Sequence, residues 1–152
     1  MFADGAWHEG LFPSALAGEE DLAELARFEA EMKRFAGMKD ARGRRAFTLP
    51  LMRCSDDAEL TALDRISAAA WLSQRGFRSP LLRWYVEYAC RDDYGAGLAQ
   101  TSAWAMLFYF CSRVPAPGAG SAPFLSWPEC NGRLISHLAG VVGERLRVGG
   151  LV

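Results

Sequence analysis

Two segments that are apolar on nearly every side limit what this chain can fold into. One runs from Pro80 to about Asp93 and the next from about Leu98 to Arg113, and both are rich in aromatic residues and Leu. Ser79 and Pro80 predict a helix start, because serine caps a helix and proline suits its first position. A helix that is apolar nearly all round is typically buried. The sequence therefore predicts a mainly α fold.

Amphipathic segments elsewhere predict further helices. The clearest spans about Glu19 to Ala36, and its apolar residues recur at three- and four-residue steps, as on one helix face. A further helix is predicted near Ile66 to Arg75, ending at Gly76, and a short one is predicted to begin at Asp56. No internal repeat is visible in the sequence.

The pattern changes near the C-terminus. Residues 115–123 have the Pro/Gly composition of a linker, and a helix from Asn131 to about Val142 lies between two predicted short strands, Phe124–Trp127 and Arg145–Val148. Two strands alone do not form a stable sheet. We therefore expect an α+β chain whose remaining strands belong to residues outside it, that is, a truncated chain.

Composition and charge exclude several classes of protein. The 152 residues carry a net charge of −1, which favours neither nucleic acid nor a membrane surface. The longest apolar run, Ala103–Cys111, is under half of the roughly 20 residues that a membrane span needs. The four widely spaced cysteines and two histidines predict buried free thiols rather than a metal site. We therefore expect a cytoplasmic protein without a metal.

Motifs for nucleotide binding and nucleophilic catalysis do not fit the sequence. The segment Gly95–Gln100 resembles a dinucleotide-binding glycine loop, but that loop follows a strand, and here the preceding segment is helical. Its third glycine position holds Gln100. Helix–turn–helix glycines are the better interpretation, and no Ser-His-Asp arrangement can be assembled.

Two polar segments have both a functional and a structural interpretation. The basic segment Lys39–Arg45 could bind phosphate, a partner or nucleic acid, but a solvated loop is the more common reason for such a pattern. The segment Cys90–Tyr94 could line a pocket in which carboxylates orient a cationic substrate. The structural alternative, which we favour, is a helix end whose polar groups cap the neighbouring backbone.

Four stretches of the chain resemble a known family. The stretch Gly132–Val152 resembles the flavin-containing amine oxidase and phytoene-desaturase-like superfamily, in which a helix and a short strand lead back to the FAD domain. The stretches Trp7–Pro13, Tyr88–Gly95 and Phe124–Glu129 resemble a bacterial NAD(P)/FAD-dependent subgroup of it.

The resemblance implies a role for each region. Residues 1–114 would be a helical substrate-side region, and residues 124–152 would return toward an FAD-binding domain, with Val152 near the adenine side of FAD. The cavity above the flavin would take an apolar or amine substrate, although core packing explains the candidate lining residues equally well. These candidates are Trp84, Tyr88, Asp92, Tyr94, Trp104 and Phe108.

The resulting function is that of a fragment. The intact protein would oxidise a C–N or C–C bond by hydride transfer to FAD, the reaction that the cofactor itself supports. This chain alone would be inactive and would need the missing FAD-binding regions as partners. The alternative is a free-standing helical module that binds a small ligand or a protein.

Overall fold

The computed structural model describes residues 2–12, 14–114 and 127–150. The chain divides into two compact units, which we call the N-terminal unit (Met1–Gly118) and the C-terminal unit (Ala119–Val152). The linker predicted at 115–123 lies outside the described residues, as do most of the strand predicted at 124–127 and the FAD contact predicted at Val152.

The N-terminal unit begins with a small hairpin and a long helix. Strands β1 (Phe2–Ala3) and β2 (Ala6–Trp7) pair antiparallel. Helix α1 spans Glu19–Gly37 and has three acidic residues in its first turn, where they face the positive end of the helix dipole. Its buried face carries Phe28, Met32, Phe35 and Ala36. The helix predicted over 19–36 is thus confirmed.

The described residues of the N-terminal unit form four more α-helices: α2 (Ala58–Thr61), α3 (Ala68–Gln74), α4 (Pro80–Tyr94) and α5 (Ala103–Ser112). Helices α3, α4 and α5 share one start signal, since the hydroxyls of Ser67, Ser79 and Ser102 accept hydrogen bonds from backbone N–H groups three residues later. Such caps satisfy donors that a helix start leaves unpaired. Helix α4 ends at Gly95, whose left-handed φ of 64° suits glycine.

Helix α5 starts five residues later than predicted. Thr101 N–H bonds to the carbonyl of Gly97 at 2.9 Å, which closes a turn. The start of α5 is also tied to the start of α3, because Ala68 N–H donates to Thr101 O and Ala103 N–H to Ile66 O, both at 2.8 Å. These long-range bonds occupy backbone groups that the predicted helix over 98–102 would have used.

One hydrophobic core joins α1, α3, α4 and α5. Trp71 stacks on Phe77 with ring centroids 6.1 Å apart, and Phe28 meets Phe77 edge to face at 5.8 Å. None of the α5 residues is exposed, as expected for a helix that is apolar all round. Helix α4 differs: Leu82, Val86, Ala89 and Cys90 are buried, but its opposite side faces solvent.

In the C-terminal unit, the described residues form helix α6 (Gly132–Val142) followed by a 3-10 turn (Gly143–Arg145). The predicted strand Arg145–Val148 is not confirmed, because Arg145 closes that turn and residues 146–148 pair with no strand among the described residues. A strand is defined by its ladder of hydrogen bonds to a neighbour. The strand–helix–strand arrangement therefore remains a prediction.

Two further predictions concern the burial of the cysteines and the presence of membrane-spanning segments. Cys54, Cys90 and Cys111 are buried free thiols as predicted, whereas Cys130 is exposed. Within the described ranges, no helix combines the length and apolar character required to cross a bilayer.

Candidate functional site

The outer side of α4 forms a groove with two aromatic rings on its wall. Trp84 and Tyr88 lie one helical turn apart, each with 41% of its surface exposed, and their ring centroids are 6.1 Å apart. The groove has a volume of about 670 Å³. Its apolar surface includes Pro80 and Leu98. Two of the predicted cavity residues therefore share one groove.

The charged residues of this groove are mainly arginines. Glu87 Oε1 accepts hydrogen bonds from Arg91 Nε at 2.9 Å and Nη2 at 2.6 Å, so these two charges neutralise each other. The groove also contains Arg78 and half-buried Arg83, and neither guanidinium forms an ion pair within the described part of the chain. An excess of positive charge disfavours a cationic amine in this groove.

The loop after α4 fits closely against the Glu87–Arg91 pair. A Cβ on Gly97 would lie 3.4 Å from Glu87 Oε1 and 3.6 Å from Arg91 Nη2. Gly97 also accepts the Thr101 N–H bond that closes the turn before α5. Gly97 therefore packs beside the ion pair, which fits the helix–turn–helix interpretation of these glycines.

Tyr94 and Asp92, at the end of α4, have different surroundings. The Tyr94 hydroxyl donates to the carbonyl of Ala105 at 2.8 Å and so ties α4 to α5. Burial, and then the nearby Asp93 carboxylate, raise the pKa of Tyr94 to about 12. Asp92 is exposed and forms no hydrogen bond or ion pair with other described residues. Tyr94 is therefore engaged structurally, whereas Asp92 faces solvent.

The last two predicted cavity residues lie on α5. Trp104 stacks on Phe108 with ring centroids 5.3 Å apart and also contacts the Phe47 ring at 5.5 Å. Trp104 lines a separate pocket with Thr61 and Asp64. Neither Trp104 nor Phe108 lines the Trp84–Tyr88 groove. The candidates thus form two pairs at different places, and their assignment to one substrate cavity remains a prediction.

A second charged feature lies in the loop between α1 and α2. The side chain of Asp40 is 1% exposed and accepts hydrogen bonds from the backbone N–H groups of Arg42 and Arg44, from Arg44 Nε and from the Ser55 hydroxyl. Burial raises the pKa of Asp40, but the hydrogen bonds from Arg44, Ser55 and Arg42 outweigh it and lower the pKa to about 2. Asp56 pairs with both arginines.

This network explains the basic segment at 39–45. Carboxylate oxygens of Asp40, Asp56 and Asp57 lie within 4.8 Å of one another, a spacing that a cation could bridge. The guanidinium groups of Arg42 and Arg44 already neutralise two of these carboxylates. We therefore interpret the cluster as an ion-pair network that orders the loop.

The sequence analysis did not single out the residues that set the charge of the Trp84–Tyr88 groove and of the loop around Asp40. Arg78 and Arg83 flank the helix start at Pro80, and Arg83 is one residue from Trp84. Their common groove could have been anticipated from the helix period, since Arg83, Glu87 and Arg91 are spaced by four residues. Asp40, two and four residues before Arg42 and Arg44, offered a similar signal.

Comparisons with protein-family models, curated proteins and solved structures gave no match to this chain. The function must therefore be inferred from its own residues and from the groove, the core and the exposed faces described above.

Proposed function

We propose that this chain is the substrate-side region of an FAD-dependent oxidoreductase of the amine-oxidase type, and that it acts as part of a longer protein. The observation that carries the proposal is the apolar face of α6. Ile135, Leu138 and Val141 on this helix are 66%, 60% and 73% exposed. None of the described residues 127–150 is buried.

An amphipathic helix gains most of its stability by burying its apolar face. Nothing among the described residues of the C-terminal unit itself covers the apolar face of α6, and the sequence around it resembles the segment that enters the FAD domain in the amine-oxidase superfamily. We propose that the sheet of such a domain covers α6, and that the residues after Arg145 become a strand when that sheet supplies the neighbouring ladder.

The helical N-terminal unit would supply the substrate side of the intact enzyme. When bound, FAD would accept a hydride from the C–N or C–C bond being oxidised. Trp84 and Tyr88 present aromatic surface to solvent and would suit an apolar substrate, whereas the arginines beside them disfavour a cationic amine. The residues described here would position the substrate, while FAD would be held elsewhere in the protein.

The described residues do not fit the phosphates of FAD. The glycine loop at Gly95–Gly97 follows helix α4 instead of a strand, and its Gly97 packs against the Glu87–Arg91 pair. A dinucleotide loop instead presents backbone N–H groups to the pyrophosphate at a helix start that follows a strand.

We expect the purified 152-residue chain not to retain FAD. After incubation with excess FAD and gel filtration, the protein peak should lack the yellow flavin absorbance, because the sequence contains no Gly-x-Gly-x-x-Gly motif for the phosphates. A known FAD-binding flavoprotein, treated identically, serves as the positive control. Flavin that co-elutes in a one-to-one ratio with the chain would contradict the proposal that FAD is held elsewhere in the protein.

The second candidate function is a free-standing helical module that binds a small ligand or a protein. The observation that favours it is the continuous core of the N-terminal unit, which includes buried residues of α1, α3, α4 and α5. The two functions differ in a measurable way, since the module would exist in cells as a short polypeptide without flavin.

A further inference from the structure

Among the described residues, the groove on the outer side of α4 places an unpaired arginine beside exposed aromatic rings. Arg83 is half-buried and has no ion pair among the described residues, although its neighbour in the groove, Arg91, is fully paired with Glu87. Removing a charge from water without a partner is unfavourable, even when the burial is partial. An anion bound at Arg83 would offset that cost.

The acidic groups near the groove do not serve as the anion for Arg83. Glu87 is engaged by Arg91, and the carboxylate of Glu24 accepts hydrogen bonds from the backbone N–H groups of Arg78 and Ser79 at 2.9–3.0 Å. Asp21 is engaged by the hydroxyl of Ser79. The groove itself therefore has three arginines against one glutamate, which leaves two positive charges for a ligand.

Trp84 and Tyr88 indicate which uncharged group the ligand should carry beside its anionic group. Their exposed rings, with Pro80 and Leu98, form an apolar wall on which a flat ring can stack. The volume of about 670 Å³ lies within the roughly 300–1,000 Å³ of small-molecule sites.

We propose that this groove binds a small aromatic carboxylate, whose ring stacks on Trp84 and Tyr88 and whose carboxylate pairs with Arg83 and Arg78. A carboxylate matches the planar fork of a guanidinium. Arg91 shows that a guanidinium in this groove binds a carboxylate, because its Nε and Nη2 both donate to Glu87 Oε1. The inference does not depend on the flavoprotein proposal, because it rests on the charges and rings of the groove and not on FAD.

The test uses 1-naphthoate as the probe, with the full 152-residue chain at near-physiological salt. Calorimetry measures the affinity, and ¹H–¹⁵N NMR locates the site through the Trp84 indole and Arg83 Nε–H signals. We expect these signals to shift. The neutral analogue 1-naphthamide should bind at least about tenfold more weakly, which corresponds to the loss of one charged hydrogen-bonded contact.

Two variants test the contact of Arg83 with the carboxylate and the contact of Trp84 with the ring separately. Arg83→Gln should weaken naphthoate binding about tenfold, and Trp84→Leu about threefold to tenfold because a stacked ring is lost. Arg53→Gln is the matched control, since Arg53 is exposed, forms no ion pair among the described residues and does not line the groove. If Arg83→Gln fails to fold, Arg83→Lys keeps the charge but removes the fork, and it should also weaken binding.

Three results would overturn the proposal. One is equal affinity for 1-naphthoate and 1-naphthamide, and another is an NMR response confined to residues outside the groove. The third is displacement of naphthoate by a capped tetraglutamate peptide at a lower concentration than naphthoate itself requires, which would assign the groove to an acidic protein partner. None of these results would bear on whether the intact protein carries FAD.

Discussion

Replacing Trp71 by alanine should lower the free energy of unfolding of the N-terminal unit by about 3–5 kcal/mol, the typical cost of truncating a large buried side chain. Trp71 is 2% exposed, stacks on Phe77 and lies against Phe35, and the guanidinium of Arg75 covers its ring at 4.5 Å. Its indole N–H has no hydrogen-bond partner among the described residues, so the loss is one of packing. Such a cost is a large share of the roughly 5–15 kcal/mol that stabilise a domain.

The matched control is Trp84→Ala, because it removes the same side chain from the exposed wall of the groove. We expect it to change the free energy of unfolding by no more than about 1 kcal/mol. Urea unfolding followed by far-ultraviolet circular dichroism measures both variants. Similar losses for Trp71 and Trp84 would mean that the core and the groove are assigned to the wrong sides of the helices.

Replacing Asp40 by asparagine should destabilise the loop between α1 and α2 and lower the melting temperature by roughly 5 °C or more. The neutral amide cannot pair with Arg44, and its NH₂ group cannot accept the hydrogen bonds that the carboxylate accepts from backbone N–H groups. Asp57→Asn is the control. Asp57 is exposed in the same cluster, and its side chain does not cap α2.

The stabilisation by Asp40 also depends on pH in a definite direction. Its folded pKa of about 2 lies below the ordinary value for aspartate, so the folded state favours the charged carboxylate. The contribution is therefore complete above about pH 4 and is lost as the pH falls toward 2. Thermal melts of wild type and Asp40→Asn should converge across this range, and a constant difference in melting temperature down to pH 2 would contradict the network.

The helices of the N-terminal unit could be predicted because their signals are local. Ser79 and Pro80 mark the start of α4, and the apolar spacing of Phe28, Met32 and Phe35 marks the buried face of α1. The start of α5 could not be predicted in this way. It is fixed by hydrogen bonds between Ile66–Ala68 and Thr101–Ala103, which are distant in sequence.

The exposed side of α4 and the pairing of a C-terminal strand could not be predicted from local sequence, for related reasons. Aromatic residues on α4 indicated burial, but whether Trp84 faces the core or solvent depends on which side of the helix packs against its neighbours. The alternation at Arg145–Val148 is typical of a strand, yet a strand also needs a neighbouring strand that local sequence does not specify. Helix α6, in contrast, was predicted over nearly the same residues, and the exposure of its apolar side chains supports our proposal of a longer protein.

The central claim, that this chain works as part of a flavoprotein, is tested most directly on the native protein. An antibody raised against the N-terminal unit can isolate it from the source cells, and the mass and visible spectrum of the product are then measured. We predict a polypeptide substantially longer than the 16.7 kDa chain, carrying about one flavin per molecule. A 16.7 kDa polypeptide without flavin would contradict the proposal and favour the free-standing helical module.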